Sequence, residues 1–184
     1  MFWYKLKPIS RAALILSVAG ILLLAGCKPE IKETGSAMPY FDLKGYFHTA
    51  SAALTRQNKQ VLKTVMHNGV AETRKVHIAN WDSEFSLFIG SDINKPAWKD
   101  SYTIQKTGDA LIYKAKNPQL ETTEIVINKP HNKVKWILVF NHTKNKLYET
   151  KEKLTYFPDS MYMIEKVQRV KLLGSNRYDI KGLF

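Results

Sequence analysis

The sequence contains a single cysteine among its 184 residues. One thiol excludes an intrachain disulfide, so the fold must rest on its own apolar core, and it also excludes a cysteine-based zinc site. The P-loop, the G-x-G-x-x-G fingerprint and the G-x-S-x-G elbow are absent, and no two of the five histidines have the i, i+4 spacing of a helical metal site. The sequence therefore predicts no cofactor, no metal site and no catalytic residues.

The sequence also lacks an apolar run of transmembrane length. Its longest run, residues 12–26, has 15 residues with Ser17 as the only polar side chain, whereas a helix needs about 20 to cross the hydrocarbon core. Three cations and no acid precede this run, and Lys28-Pro29-Glu30 ends it. A basic segment followed by a short apolar segment and small residues is typical of an export signal, with a transmembrane helix as the alternative.

The apolar run ends in Leu24-Ala25-Gly26-Cys27, which resembles the lipobox of bacterial lipoproteins. The resemblance implies cleavage between Gly26 and Cys27, a diacylglycerol on the sulfur of Cys27, and acylation, for example by palmitate, of its new amine. Several acyl chains hold a protein at a membrane, because each buried CH₂ contributes ~0.8 kcal/mol. Lys28 follows in place of the aspartate associated with inner-membrane retention, which favours the outer membrane within the cell envelope.

The predicted organisation is a signal peptide at 1–26, a lipidated cysteine and flexible tether at 27–38, and a single domain at 39–184. Removing the leader, which has three cations and no acid, lowers the formal charge from +12 to +9. A basic chain often binds nucleic acid, but an exported one meets the envelope instead. The predicted partners are the membrane through the anchor and an anionic envelope component or a protein, and not nucleic acid. A solvated lysine-rich surface without a partner is the alternative.

Two apolar stripes predict two helices early in the domain. Their members are Leu43, Phe47, Ala50 and Leu54 for the first helix and Trp81, Phe85, Phe88 and Ile89 for the second. Asn80 or Asp82 is the predicted cap of the second helix. Between the helices, Asn68-Gly69 is typical of a tight turn and predicts a hairpin over 61–78.

From Tyr102 onward, turn signals separate short apolar segments. The predicted strands cover 102–106, 111–116, 122–128, 134–141, 147–157, 161–173 and 178–184. The strand at 134–141 is apolar on both faces, which predicts a central strand covered on both sides. The predicted fold class is α+β, with two N-terminal helices, a hairpin between them, and then a curved antiparallel sheet of about seven strands.

A curved sheet can enclose an apolar pocket between its concave face and a helix, and the predicted lining is Leu43, Phe47, Trp136 and Phe140. This arrangement is similar in layout to the half-barrels of periplasmic lipoprotein carriers and outer-membrane lipoprotein receptors. The whole mature region also resembles uncharacterised lipoproteins of Gram-negative bacteria, a resemblance that implies no activity.

The leading functional prediction is a non-enzymatic, lipid-anchored binding or interaction module. One alternative is a carrier of lipid or another apolar ligand in the predicted pocket. The other is an enzyme of unknown class, which would need an acid pair such as Glu121 with Glu124 or Asp92 with Asp100. In the loop 91–101, Trp98 either contacts a ligand or packs over the core.

Overall fold

A single antiparallel sheet of nine strands carries the structure, a computed structural model that describes residues 38–184. The strands β1 to β9 span Gln60–His67, Val70–His77, Tyr102–Thr107, Ala110–Ala115, Thr122–Asn128, Trp136–Lys144, Tyr148–Phe157, Met161–Val170 and Gly174–Leu183. Their order across the open sheet is β2-β1-β9-β8-β7-β6-β5-β4-β3. These residues form one compact unit, and no helix within 38–184 is long and apolar enough to span a bilayer.

The first helix, α1 (Leu43–Gln57), is capped at both ends. The carboxylate of Asp42 accepts a hydrogen bond from the backbone N–H of Gly45 at 2.7 Å, and Asn58 ends the helix in the left-handed conformation. The predicted stripe faces the core, since Leu43, Phe47 and Leu54 are buried. The prediction of this helix is confirmed.

The second predicted helix is divided into two short ones, α2 (Trp81–Glu84) and α3 (Ser86–Gly90). Asn80 caps α2 by accepting a hydrogen bond from the backbone N–H of Ser83 at 3.0 Å. The division falls at Phe85, whose side chain is fully buried between the two helices. The predicted apolar stripe is confirmed, but the prediction of one continuous helix is wrong.

The hairpin between the helices belongs to the main sheet, which corrects the predicted strand number from about seven to nine. Asn68 and Gly69 form its turn with positive φ, as their sequence predicts. Strand β1 then pairs with β9, the last strand of the chain, over residues 62–67. Two 3-10 turns, Pro96–Trp98 and Pro130–Asn132, complete the described structure.

The two faces of the sheet differ in what covers them. On β6, Ile137 and Val139 are fully buried, while the alternate residues Trp136, Leu138 and Phe140 are half-buried. We call the first side the helix-covered face and the second the open face. Within residues 38–184 the helices lie on one face only, so the prediction that β6 is covered on both sides is wrong for this part of the chain.

Aromatic rings fill the space between the helices and the helix-covered face. The ring of Phe47 lies 4.6 Å from that of Phe88, 5.2 Å from Phe85 and 5.0 Å from Tyr156 of β7. A fully buried Phe side chain contributes roughly 1.5–3 kcal/mol by area alone, so this cluster is the main anchor of the helices.

Candidate interaction surface

An apolar row crosses the open face over five neighbouring strands. Its members stand directly opposite one another in the strand register, so their side chains share a face. Four members are apolar and Thr155 lies between the last two of them: Ile112, Val126, Leu138, Thr155 and Met163. The outer face of an antiparallel sheet is normally polar, so a continuous apolar row here is informative.

Thr155 is the fourth member of this row and is 6% exposed. Its hydroxyl oxygen has no hydrogen-bond partner among the described residues. A buried hydroxyl without a hydrogen-bond partner costs about 1–3 kcal/mol of folding free energy. The position therefore favours an additional group that would hydrogen-bond to this hydroxyl.

A second apolar row runs beside the first, towards the far edge of the sheet. It consists of Phe157, Met161, Leu183 and Leu62, each opposite the next in register. Leu62 is 37% exposed and Leu183 is 36% exposed. The two rows together extend the apolar part of the open face from β4 to β1.

Charges of both signs border the apolar rows on β7, β8 and β9. Lys153 and Arg177 both pair with Glu165, at 3.2 Å and 3.6 Å, and Arg177 also donates to Asp179 at 2.9 Å. The hydrogen bond to Asp179 raises the pKa of the Arg177 guanidinium. A groove of about 400 Å³ is lined by Lys153, Glu165 and Arg177, and its apolar walls include Phe140 and Val167.

A second polar border lies where β6 and β7 meet. The Nε2 atom of His142 is 2.9 Å from an oxygen of Glu149, and this hydrogen bond holds the pKa of the Glu149 carboxyl below its usual range. A groove of about 780 Å³ adjoins the pair and is lined by Glu121, Lys144 and Lys146 among others. A His–carboxylate pair can orient an imidazole for proton transfer. Within 38–184 no group of three or more His, Cys, Asp or Glu side chains is arranged to hold a metal ion.

Two polar clusters on the helix-covered face connect the helices to the sheet and therefore have a structural role. Glu152 pairs with Lys166 at 2.9 Å and also accepts a hydrogen bond from Asn141 at 3.3 Å. Asn141 donates in turn to the hydroxyl of Ser91 at 2.8 Å, which joins the end of α3 to the sheet. Asn141, Glu152 and Ser91 are buried and joined through the side-chain amide N–H₂ of Asn141, whereas the amide oxygen of Asn141 has no partner among the described residues.

The second cluster connects α2 to the sheet. The phenol of Tyr162 donates to Glu84, and the ammonium of Lys63 lies 2.7 Å from the same carboxylate. Burial, followed by the hydrogen bond and charge of Glu84, raises the pKa of the Tyr162 phenol. Because the side chain of Tyr162 is fully buried, a substrate does not reach its hydroxyl.

The four predicted pocket residues are not brought together. Leu43 and Phe47 are 0% exposed in the aromatic core, whereas Trp136 and Phe140 point to the open face. The structure thus corrects the predicted lining, because the helices cover Ile137 and Val139 instead. The predicted cleavage and lipidation site, Gly26 and Cys27, lies outside the described residues.

Of the predicted acid candidates, Glu121 lines the groove beside Lys144, Glu124 lies on β5, and Asp92 and Asp100 lie in the region between α3 and β3. Asp92 is buried and accepts hydrogen bonds from the backbone N–H groups of Lys44 and Asn94, at 2.9 Å and 2.7 Å, so it fixes the loop that follows α3. Trp98 packs against the core, and the ammonium of Lys95 lies 4.0 Å above its ring. Of the two roles considered for Trp98, core packing is confirmed.

The sequence predicted neither the His142–Glu149 pair nor the apolar row of the open face. Both depend on cross-strand register, for which the sequence carries no local signal. Comparison of the chain with protein-family models, with curated proteins and with solved structures finds no match.

Proposed function

We propose that the chain is a lipid-anchored envelope protein whose domain binds a protein partner through the open face of its sheet. The observation that carries the proposal is the apolar row from Ile112 to Met163, which crosses five strands on the face that no described helix covers. The buried, unpartnered hydroxyl of Thr155 in this row supports it.

The composition of the open face favours a protein over a bilayer as the occupant. Protein interfaces combine an apolar centre with a polar rim. Here the rim contains Glu149, Glu165 and Asp179 as well as lysines and arginine. Carboxylates and cations alternate along this rim, and a protein can pair with both signs of charge, whereas an anionic bilayer offers only one.

The anchoring half of the proposal rests on the lipobox resemblance at Leu24-Ala25-Gly26-Cys27. A tether of eleven residues, from Lys28 to Met38, extends at most about 40 Å, so an anchored domain would meet its partner close to the membrane. The carrier hypothesis loses its support, because its four lining residues lie on both sides of the sheet.

Site-specific photo-crosslinking in cells tests the proposed binding face. A photoreactive residue at Leu138, in the centre of the row, is expected to give a discrete protein adduct in the envelope fraction. The same residue at Ile104 is the control, because Ile104 is 55% exposed but lies on the edge strand β3, facing the helix-covered side. Absence of an adduct from Leu138, or the same adduct from Ile104, contradicts the proposal.

The anchor is tested in the same cells. Labelled fatty acid is expected in the wild-type chain and not in Cys27→Ala, which should accumulate as unprocessed precursor. Normal labelling and processing of that variant would overturn the anchoring half without affecting the crosslinking result.

A further inference from the structure

Two adjoining hairpin turns at one end of the sheet carry exposed leucines. Leu147 lies in the turn between β6 and β7, and Leu172 and Leu173 lie in the turn between β8 and β9. Their exposed fractions are 70%, 99% and 80%. The backbone N–H of Lys171 donates to the carbonyl of Leu147 at 2.9 Å, so the two turns form one continuous surface.

The backbone of Leu172 is unusual. Six non-glycine residues between 38 and 184 have positive φ, and the other five are Asn, His or Asp, the residue types that tolerate this conformation. Leu172 adopts φ 77° while its side chain is almost fully in water. Neither the positive φ of a leucine nor the exposure of its side chain stabilises the fold, so the position points to a contact outside the domain.

The charges around these leucines are mainly of one sign. Lys144, Lys146, Arg169 and Lys171 are all exposed on the two hairpins. Two acids lie in the same region: Glu149 pairs with His142 at 2.9 Å and with Lys151 at 3.7 Å, and the exposed Glu121 lines the groove beside Lys144 and Lys146. This surface thus differs from the open face, whose border has charges of both signs.

We propose that this tip surface, formed by Lys146, Leu147, Lys171, Leu172 and Leu173, docks on an anionic phospholipid bilayer. The leucines enter the interfacial region, and the ammonium groups lie among the lipid phosphates. The groove of about 780 Å³ beside Lys144 and Lys146 leaves room for a head group next to the turns. The proposal does not depend on the lipidation of Cys27, because it rests only on residues of the two hairpins.

Vesicle sedimentation tests the docking. The segment 38–184 contains all nine strands and the aromatic core, and cooperative thermal unfolding serves as the fold check for each variant. Wild-type segment is expected to sediment with phosphatidylcholine vesicles that contain about one-fifth phosphatidylglycerol, and to remain free with phosphatidylcholine alone. Lys146→Gln is expected to weaken binding about fivefold, because one basic residue near an anionic surface contributes about that factor.

Leu172→Asn separates docking from folding. Asn tolerates positive φ, so the variant is expected to unfold at a higher temperature than wild type while binding the anionic vesicles at least tenfold more weakly. Ile104→Asn removes an exposed apolar side chain from the edge strand β3 and is expected to leave binding unchanged. Unchanged binding by Leu172→Asn, or an equal loss by Ile104→Asn, overturns the proposal.

The full-length chain reconstituted in vesicles provides a second measurement. Trypsin is expected to cleave after Lys146 and Lys171 more slowly on anionic than on zwitterionic vesicles, while cleavage after Lys106 at the edge strand β3 is unchanged. Equal cleavage rates on both vesicles contradict docking. Leucine-dependent dimerisation of the soluble segment without vesicle binding would assign the surface to a second copy of the chain and likewise overturn the proposal.

Discussion

Each face of the sheet carries a Lys–Glu ion pair between β7 and β8, and the two pairs differ in solvent exposure. At adjacent positions of β7 and β8, Glu152 pairs with Lys166 on the helix-covered face and Lys153 pairs with Glu165 on the open face. The Glu152 side chain is 8% exposed and that of Glu165 is 25% exposed. Two successive residue pairs of β7 and β8 thus place one ion pair beneath the helices and the other on the open face. The two pairs differ only in whether helices cover them.

The largest expected difference between the faces concerns two phenylalanines. Phe47→Ala is expected to lower the free energy of unfolding by about 3–5 kcal/mol, because it empties a fully buried site beneath the helices. Phe140→Ala, on the open face, is expected to cost only about 1–2 kcal/mol, since its half-buried ring gains less from burial. Urea unfolding of the segment 38–184 measures both values. Equal losses would mean that the two residues share one environment after all.

A smaller effect is expected from a glycine of β9. Gly182 lies opposite Tyr162, and a Cβ at this position would overlap the tyrosine ring. Gly182→Ala is therefore expected to destabilise the fold by about 1–3 kcal/mol. Gly90→Ala is the matched control, because nothing lies within 4 Å of its added Cβ. A thermal midpoint for Gly182→Ala as high as that of the control would contradict close packing on the helix-covered face.

The comparison of the two ion pairs includes the smallest expected effect, that of the Glu165 pair. Glu152→Gln is expected to cost about 1–3 kcal/mol, because it weakens a buried hydrogen-bond network and leaves Lys166 without its charge partner. Glu165→Gln is expected to cost less than ~1 kcal/mol, as is typical of solvent-accessible pairs. Denaturant unfolding at low and high salt compares them, and only the Glu165 contribution should decrease with salt. The opposite order would mean that the pair on the open face is the better shielded one, which contradicts the assignment of the two faces.

Local features of the fold were predictable from the sequence. The spacing of Leu43, Phe47 and Leu54 predicted α1, Asn68-Gly69 predicted the first hairpin, and Thr122–Asn128 is observed as predicted. Each of these signals depends on side chains that are close together in the chain, so neighbouring residues alone decide the structure.

The final hairpin shows where local signals fail. Gly174-Ser175-Asn176 has typical turn residues, so the sequence predicted a turn there and a strand through Leu173. In the structure β8 ends at Val170 and Gly174 already begins β9, because their pairing continues for ten successive residues from Met161 to Val170. The pairing of β8 with β9 therefore places the turn at residues 171–173. The predicted strand had included Leu172 and Leu173, so their exposure in a turn was not predicted.

The predicted pocket failed for a related reason. Trp136 and Phe140 alternate with Ile137 and Val139, and both pairs are apolar. Alternation assigns residues to two faces but does not say which face the helices will cover. Only the packing of Phe47 against Tyr156 decides this, and these residues are more than a hundred positions apart.

The pairing of β1 with β9 also determines when the chain can become fully structured. The hairpin of β1 and β2 ends at His77, yet the strand that pairs with β1 on its other side, residues 174–183, follows much later in the chain. Closing a loop of this length is slow and entropically costly, so the hairpin must wait for β9 before its other edge is paired. A chain shortened by its last ten residues would leave β1 and β8 as unpaired edges, and such edges are templates for aggregation.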